Sequence, residues 1–303
     1  MTDLSAKILS DFQARKTAKQ KDRFIELLKA EFPELTVSEK KKTLMKNRNL
    51  ILGDVKNADV ILSAHYDTCA VLPFPNLIFA NNVIATVAAI LPVVIVMIAL
   101  CAGAMAAVVK LGGGRTLGMG AYFAVLFAFV IVTYAGKPST HTANDNTSGV
   151  ITLIETYARL SVEEKAKTAV VFFDNEEYGL VGSRIFLKEN KKLLDNKLLI
   201  NFDCVSDGDN ILFICSKKAY EDGQSLSQCF KTDEKKIVVR KAANSVFPSD
   251  QKDFPRAIGV ASMHHNVFGY YMPRLHTRRD VIFDEKNIEY LAGALCAFVG
   301  EKE

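Results

Sequence analysis

Two long runs without a charged side chain constrain this sequence more than anything else in it. Val83 to Val109 gives 27 uncharged residues and Thr116 to Tyr134 gives 19 more, with only Lys110 to Arg115 (KLGGGR) between them. A helix of about 20 apolar residues crosses the hydrocarbon core of a bilayer. Soluble cores rarely supply two consecutive helices that are apolar on every face. The pair therefore predicts a transmembrane hairpin, with Pro92 kinking its first span, as membrane helices tolerate. A pair of buried core helices is the competing reading.

The flanking sequence reads as a water-soluble α/β fold. Asp3 to Phe32 carries apolar residues at helical spacing, and Pro33 stops it. Lys40 to Asn49 is basic and predicts a strand or turn at a sheet edge. Leu50–Gly53, Val60–Ser63, Val170–Phe173, Leu198–Phe202, Ile211–Cys215, Ile237–Val239 and Ile258–Met263 read as strands. Helices are expected over Val150–Leu160, from about Leu180, over Glu221–Lys231 and over Ile288–Val299. Without the hairpin roughly 240 residues remain, which suits one α/β domain. The expected organisation is one domain from residues 1–76 and 136–303, with the hairpin inserted as 77–135.

Charge and cysteine usage narrow the class further. The net charge is only +4, and much of the basic character falls in the first 56 residues. No nucleic-acid-binding motif accompanies it, so nucleic acid is not an expected partner. Six cysteines show no CxxC spacing and read as free thiols of a reducing compartment. The N-terminus lacks the apolar core of a secretory signal. Together these place residues 1–76 in the cytoplasm, and two spans return the chain to that side. Lys110 and Arg115 in the short loop oppose this assignment.

The chemistry gathers around Val170 to Ser183, VVFFDNEEYGLVGS. An apolar strand ends there in two adjacent carboxylates, Glu176 and Glu177. Open α/β sheets place their ligands at the C-terminal ends of strands. Other polar residues fall at strand ends or in adjoining loops: His65, Asp67, Asp145, Asp203, His276 and Asp280. Alone, each fits a plainer role: a solvated acidic turn, a helix cap, a structural histidine. As a set, imidazoles and carboxylates suit zinc or a similar divalent ion. A carboxylate can bridge two ions, and two ions about 3.5–4 Å apart can drive amide hydrolysis.

Five segments, SAHYDTC, ANDNTSGV, FFDNEEYGLVGS, NFDCV and LHTRRD, occur in the order found in the zinc aminopeptidases of family M28, which the sequence resembles over residues 50–76 and 136–300. The resemblance implies an α/β/α sandwich around a mixed, mainly parallel sheet of the zinc-exopeptidase type. It implies two zinc ions bridged by Asp145, with His65 and Asp203 completing one site and Glu177 and His276 the other. Glu176 would be the general base. Asp67 and Asp280 would orient the two imidazoles. Leu275 stands where some members carry an oxyanion-stabilising Tyr, leaving Tyr270 or Tyr271 as substitutes or the donor absent. The implied activity is removal of N-terminal residues from peptides; the hairpin, outside the resemblance, is expected from its uncharged runs to contact membrane lipid through residues 83–134. A glutaminyl-cyclase-like acyltransferase with one zinc, or a non-catalytic scaffold of the same fold, are the alternatives. The hairpin lies between His65 and Asp145 in sequence, so it should leave the domain near the mouth of the active site. There it either anchors the protein or steers substrate.

Overall fold

The computed structural model describes residues 1–42, 45–231 and 234–301. Thr43 and Leu44, inside the basic stretch expected at a sheet edge, lie outside the described residues. At the centre are three strands with no solvent-exposed face: β3 (Val60–His65), β5 (Thr168–Phe173) and β6 (Leu198–Phe202), every residue buried. Such uninterrupted burial marks parallel strands covered on both sides. β3 runs parallel to β5 on one side and to β6 on the other, and β6 is parallel to β9 (Ala257–Asn266). Alternate residues of β5 serve the two layers. Val170 and Phe172 pack with α1 (Asp3–Asp11), α2 (Ala18–Glu31), α5 (Gly149–Arg159) and α9 (Glu285–Gly300). Ala169, Val171 and Phe173 face α7 (Val181–Leu194) through Phe186 and Leu194.

Antiparallel pieces extend both edges. On one side β1 (Thr36–Lys42) and β2 (Met45–Leu52) form a hairpin, and β2 joins β5. Beyond β9 lie β10 (Gly269–Met272) and β4 (Ile78–Phe79). β7 (Asn210–Cys215) also pairs with β9, and β8 (Lys236–Lys241) with β7. Two short helices, α6 (Val162–Ala166) and α8 (Tyr220–Gln228), complete the shell. The architecture is the α/β/α sandwich the sequence led us to expect.

Three elements differ from the reading of the sequence. The single helix expected over Asp3–Phe32 is two, because Thr17 caps α2 in a capping box with Gln20. The intervening Arg15 is fully buried. Glu221–Lys231 is helical only to Gln228. β4 lies inside the segment assigned to the inserted hairpin, yet it pairs with β10 of the sheet.

The uncharged runs form α3 (Val83–Lys110) and α4 (Gly114–Ala135), helices long and apolar enough to cross a membrane. Pro92 lies inside α3. The helices pack on each other, and a side chain at Gly118 would collide with Met105 and Val109. Only Cys101 of α3 and Gly118 of α4 are buried. Core helices would be covered, and these are not.

At the start of α5, a Cβ on Gly149 would overlap the Phe202 carbonyl and the Asn146 side chain. Helix propensity favours alanine over glycine, but here the overlap decides the sign. Gly149→Ala should lower stability by about 1–3 kcal/mol, the usual cost of overpacking. Thermal unfolding of the detergent-solubilised protein checks this, and a raised midpoint would contradict the packing argument.

Candidate metal centre

The parallel strands deliver polar residues to one edge. His65 is the last residue of β3, Glu176 and Glu177 lie in the turn after β5, and Asp203 follows β6. Asp145 comes from the loop before α5. His276 comes from the turn after β10, where its φ of 58° places it in the left-handed region, a strained conformation common at functional sites.

Asp145 sits between the two imidazoles. Its Oδ1 is 3.3 Å from His65 Nε2, and its Oδ2 is 3.0 Å from His276 Nε2. Asp203 Oδ1 lies 3.5 Å from the same His65 nitrogen, and Glu177 Oε2 lies 3.2 Å from the same His276 nitrogen. Two groups of donors therefore share one carboxylate. Asp203 Oδ1 and Glu177 Oε1 are buried with no well-formed hydrogen bond. Buried carboxylate oxygens without donors are costly unless a cation meets them. The donor set is oxygen and imidazole nitrogen, which fits a divalent cation. Glu176 joins His65 and Glu177, with donor atoms all within 4.8 Å.

The two outer carboxylates act differently from expectation. The Asp67 carboxylate accepts from the backbone N–H of Glu176 (2.9 Å) and of Glu177 (3.3 Å). It is 3.8 Å from His65 Nδ1. That nitrogen instead donates to the Asp67 carbonyl at 3.0 Å, so main chain rather than side chain orients the ring. Asp280 accepts from the backbone N–H groups of Asn144 (2.8 Å) and Asp145 (2.9 Å), and so fixes the loop carrying the shared carboxylate. Both carboxylates hold ligand-bearing backbone, not imidazoles.

A cavity of about 530 Å³ opens over Glu176, Glu177 and His276. Tyr178 lines it, whereas Tyr270 and Tyr271 stand on β10 and do not. Leu275 packs in an apolar cluster with Tyr270 and Met272.

Several neighbours had no clear mark in the sequence. Buried Arg15 donates to the carbonyls of Tyr66 and Phe12 and to Thr147 Oγ1. Burial lowers its pKa to about 10, opposed by Asp67 and Asp145. Cys69 places its sulfur within 4.8 Å of Glu177 and His276 donor atoms. Its position four residues after His65, inside SAHYDTC, was the available signal. Asp250 is buried with neither carboxylate oxygen hydrogen-bonded in normal geometry, and burial lifts it to about 7. It begins a short helical turn, Asp250–Asp253, just before β9.

A family model described as peptidase family M28 matches residues 128–298, more than half of the chain. The chain belongs to peptidase family M28. Among solved structures, it is similar to the LapA aminopeptidase of Legionella pneumophila at 14% identity and a TM-score of 0.54, covering 99% of this chain and 70% of that one. It is similar to the glutaminyl cyclase of Porphyromonas gingivalis at 15% identity and a TM-score of 0.60, covering 99% and 98%. The glutaminyl cyclase of Macrostomum lignano gives 12% identity and a TM-score of 0.61, covering 99% and 88%. At such identities the likeness concerns the fold, which M28 peptidases and cyclases share. No curated protein sequence matches the chain.

Protonation of the M28 site follows from its charges. Burial opposes a charged His276, but Glu177 and Asp145 outweigh it and raise its pKa to about 10. For His65 burial is likewise outweighed, by Glu176, Asp145 and Asp203, and its pKa rises well above the usual value. Burial raises Glu177 to about 7. At pH 7 the metal-free protein thus keeps both imidazoles protonated, and a metal must displace those protons. Zinc affinity should therefore weaken as pH falls. Calorimetric zinc titration at pH 7 in two buffers of different ionisation enthalpy should show net proton release. Identical heats in the two buffers would contradict this protonation state.

Proposed function

We propose that the chain is a membrane-anchored aminopeptidase with two zinc ions in the Asp145 site. The observation that carries this reading is Asp145 itself, whose two oxygens face different imidazoles. His65 and Asp203 would hold one ion, Glu177 and His276 the other, with Asp145 shared. Membership of M28 supports peptide substrates. When bound, zinc polarises a carbonyl and acidifies water.

The chain's own residues would supply the rest. Glu176 lies partly open to the cavity, and burial raises its pKa well above that of a free carboxylate. A carboxylate so placed can take a proton from the attacking water and return it to the leaving amine. Asp67, holding the Glu176 and Glu177 amides, would keep that base aimed. Asp280 would do the same for Asp145 through its loop.

A second reading has a specific observation behind it. The Porphyromonas cyclase is matched over 98% of its length, whereas LapA is matched over 70%. A cyclase-like acyltransferase with one zinc would follow from that compactness. Metal analysis decides between them: two equivalents of zinc and release of N-terminal residues support the peptidase. A ceiling of one equivalent, with cyclisation of N-terminal glutamine, overturns it. Within the peptidase reading, Glu176→Gln should retain metal and lower kcat by roughly 10²–10⁴-fold. Glu177→Gln should lose metal instead, and exchanged phenotypes would reverse the assignment.

The membrane part rests on the exposed apolar faces of α3 and α4. Residues 1–76 and 136–303 would form the catalytic domain and 77–135 the inserted hairpin, apart from β4, which pairs with the sheet. Both halves of the metal site come from opposite sides of the hairpin in sequence, so both must share one side of the bilayer. We assign that side to the cytoplasm, in keeping with six unpaired thiols. A cytoplasm-dependent reporter fused after Glu303 should be active, and a reporter active only outside the membrane would refute the assignment.

A further inference from the structure

A cleft of about 760 Å³ opens where α4 meets the sheet domain. The loop Val71–Pro75 forms one wall, the end of α4 at Val132 another, and the turn after His276 a third. Most of its surface is apolar side chain, yet Lys137, Arg278 and Arg279 line it as well. All three are exposed, and among the described residues none forms a salt bridge or a side-chain hydrogen bond. Lys137 is two residues beyond the end of α4 at Ala135, where an apolar span would leave the hydrocarbon.

A second, apolar space lies beside this cleft along the hairpin, and the two share Pro73 and Phe74. Phe74 stacks on Phe129 of α4 with ring centroids 5.5 Å apart. Pro73 and Phe74 also line a slot of about 480 Å³ between α3 and α4, bounded by Pro92, Val96, Leu100 and Val125. Among the described residues no charged side chain borders that slot. The arrangement is amphipathic: three cations lie beside the end of α4, and an uncharged slot between α3 and α4 shares the Pro73–Phe74 wall of their cleft.

We propose that this junction binds one anionic phospholipid, with its phosphate on Arg278, Arg279 and Lys137 and one acyl chain between α3 and α4. The proposal rests on the membrane reading above. Charge complementarity selects the headgroup, since guanidinium forks pair with phosphate oxygens in two-point hydrogen bonds. Continuity with the spans selects a lipid over a water-borne anion, because basic pockets beside transmembrane helices meet lipid headgroups at that level. The site touches the metal centre through backbone. The Leu72 N–H donates to the His276 carbonyl at 2.7 Å, and Leu72 lines both cavities. An occupied cleft therefore braces the turn that presents His276.

The test uses the full-length, zinc-loaded protein in a neutral detergent. Thermal midpoints are followed as dioleoyl phosphatidylglycerol, dioleoyl phosphatidylcholine or inorganic phosphate is added. Phosphatidylglycerol should bind on the order of tenfold to hundredfold more tightly than phosphatidylcholine, given three cations at a membrane surface. The variant K137Q/R278Q/R279Q should lose that preference while keeping its zinc. Val96→Trp, which fills the slot and leaves the charges, should weaken phosphatidylglycerol binding. Equal binding of the two lipids, or an unchanged preference in the triple variant, overturns the proposal. So does equal protection by inorganic phosphate, which would leave a bare anion site. Tighter binding of an uncharged acylated peptide than of phosphatidylglycerol would give the cleft to substrate and overturn it too. Retention in pure phosphatidylcholine vesicles after an alkaline wash tests the spans separately. Retention without lipid preference refutes only the lipid site.

Discussion

Like charges brought together away from water are the constraint around which this molecule is built. Asp145, Glu176, Glu177, Asp203 and Asp250 approach one another at the C-terminal edge of the parallel strands. Burial alone disfavours ionising them, and it pushes Glu177 and Asp250 each to about 7. The fold answers with donors placed from several directions. His65 and His276 stand against Asp145, which the two imidazoles hold well below the usual carboxylate range despite its burial. Backbone N–H groups satisfy Asp67 and Asp280. Lys21 pairs with Asp174 at the end of β5, and Arg15 is sealed beneath Asp67 and Asp145. Removing one partner from such an arrangement leaves a buried charge uncompensated, which costs far more than an exposed ion pair contributes. A divalent cation is the remaining natural complement.

What could be read in the sequence was whatever rests on local pattern. β6 runs from Leu198 to Phe202 as its apolar run indicates, and His65 ends the strand that Val60 begins. The helices α3 and α4 match the uncharged runs to within a few residues. Residues that act through distant contacts were hidden. Arg15 looks like one more basic residue in a basic segment, and only the fold reveals that it spans from Phe12 to Thr147. Asp250 sits among residues with no periodicity. Asp67 acts through contacts that local sequence does not show: the turn after β5 brings the backbone amides of Glu176 and Glu177 to its carboxylate. β4 and β10 escaped notice because strands of two and four residues carry too little pattern to detect.

Geometry couples α3 and α4 to the candidate metal centre more tightly than a flexible tether would. β4 hydrogen-bonds to β10 only a few residues before α3 begins, and Ala70 bridges to Pro138 just after α4 ends. One exit of the hairpin is thus fastened to the sheet and the other to the loop after β3. The orientation of the cavity over Glu176, Glu177 and His276 relative to α3 and α4 is set by backbone pairing.

The position of β3 has a consequence for biosynthesis. This strand lies in the middle of the sheet, between β5 and β6, and both neighbours are translated after the hairpin. Until the ribosome has made residues 168–173 β3 has neither partner, and one edge stays bare until residue 202, inviting pairing with other chains. Insertion of α3 and α4 into a bilayer would come first in that order. The membrane would then hold the two ends of the sheet domain near each other before any parallel pairing begins, shortening the loop whose closure slows folding of long-range contacts. The inserted segment would thus act on the nascent chain as a clamp, well before the finished protein meets a substrate.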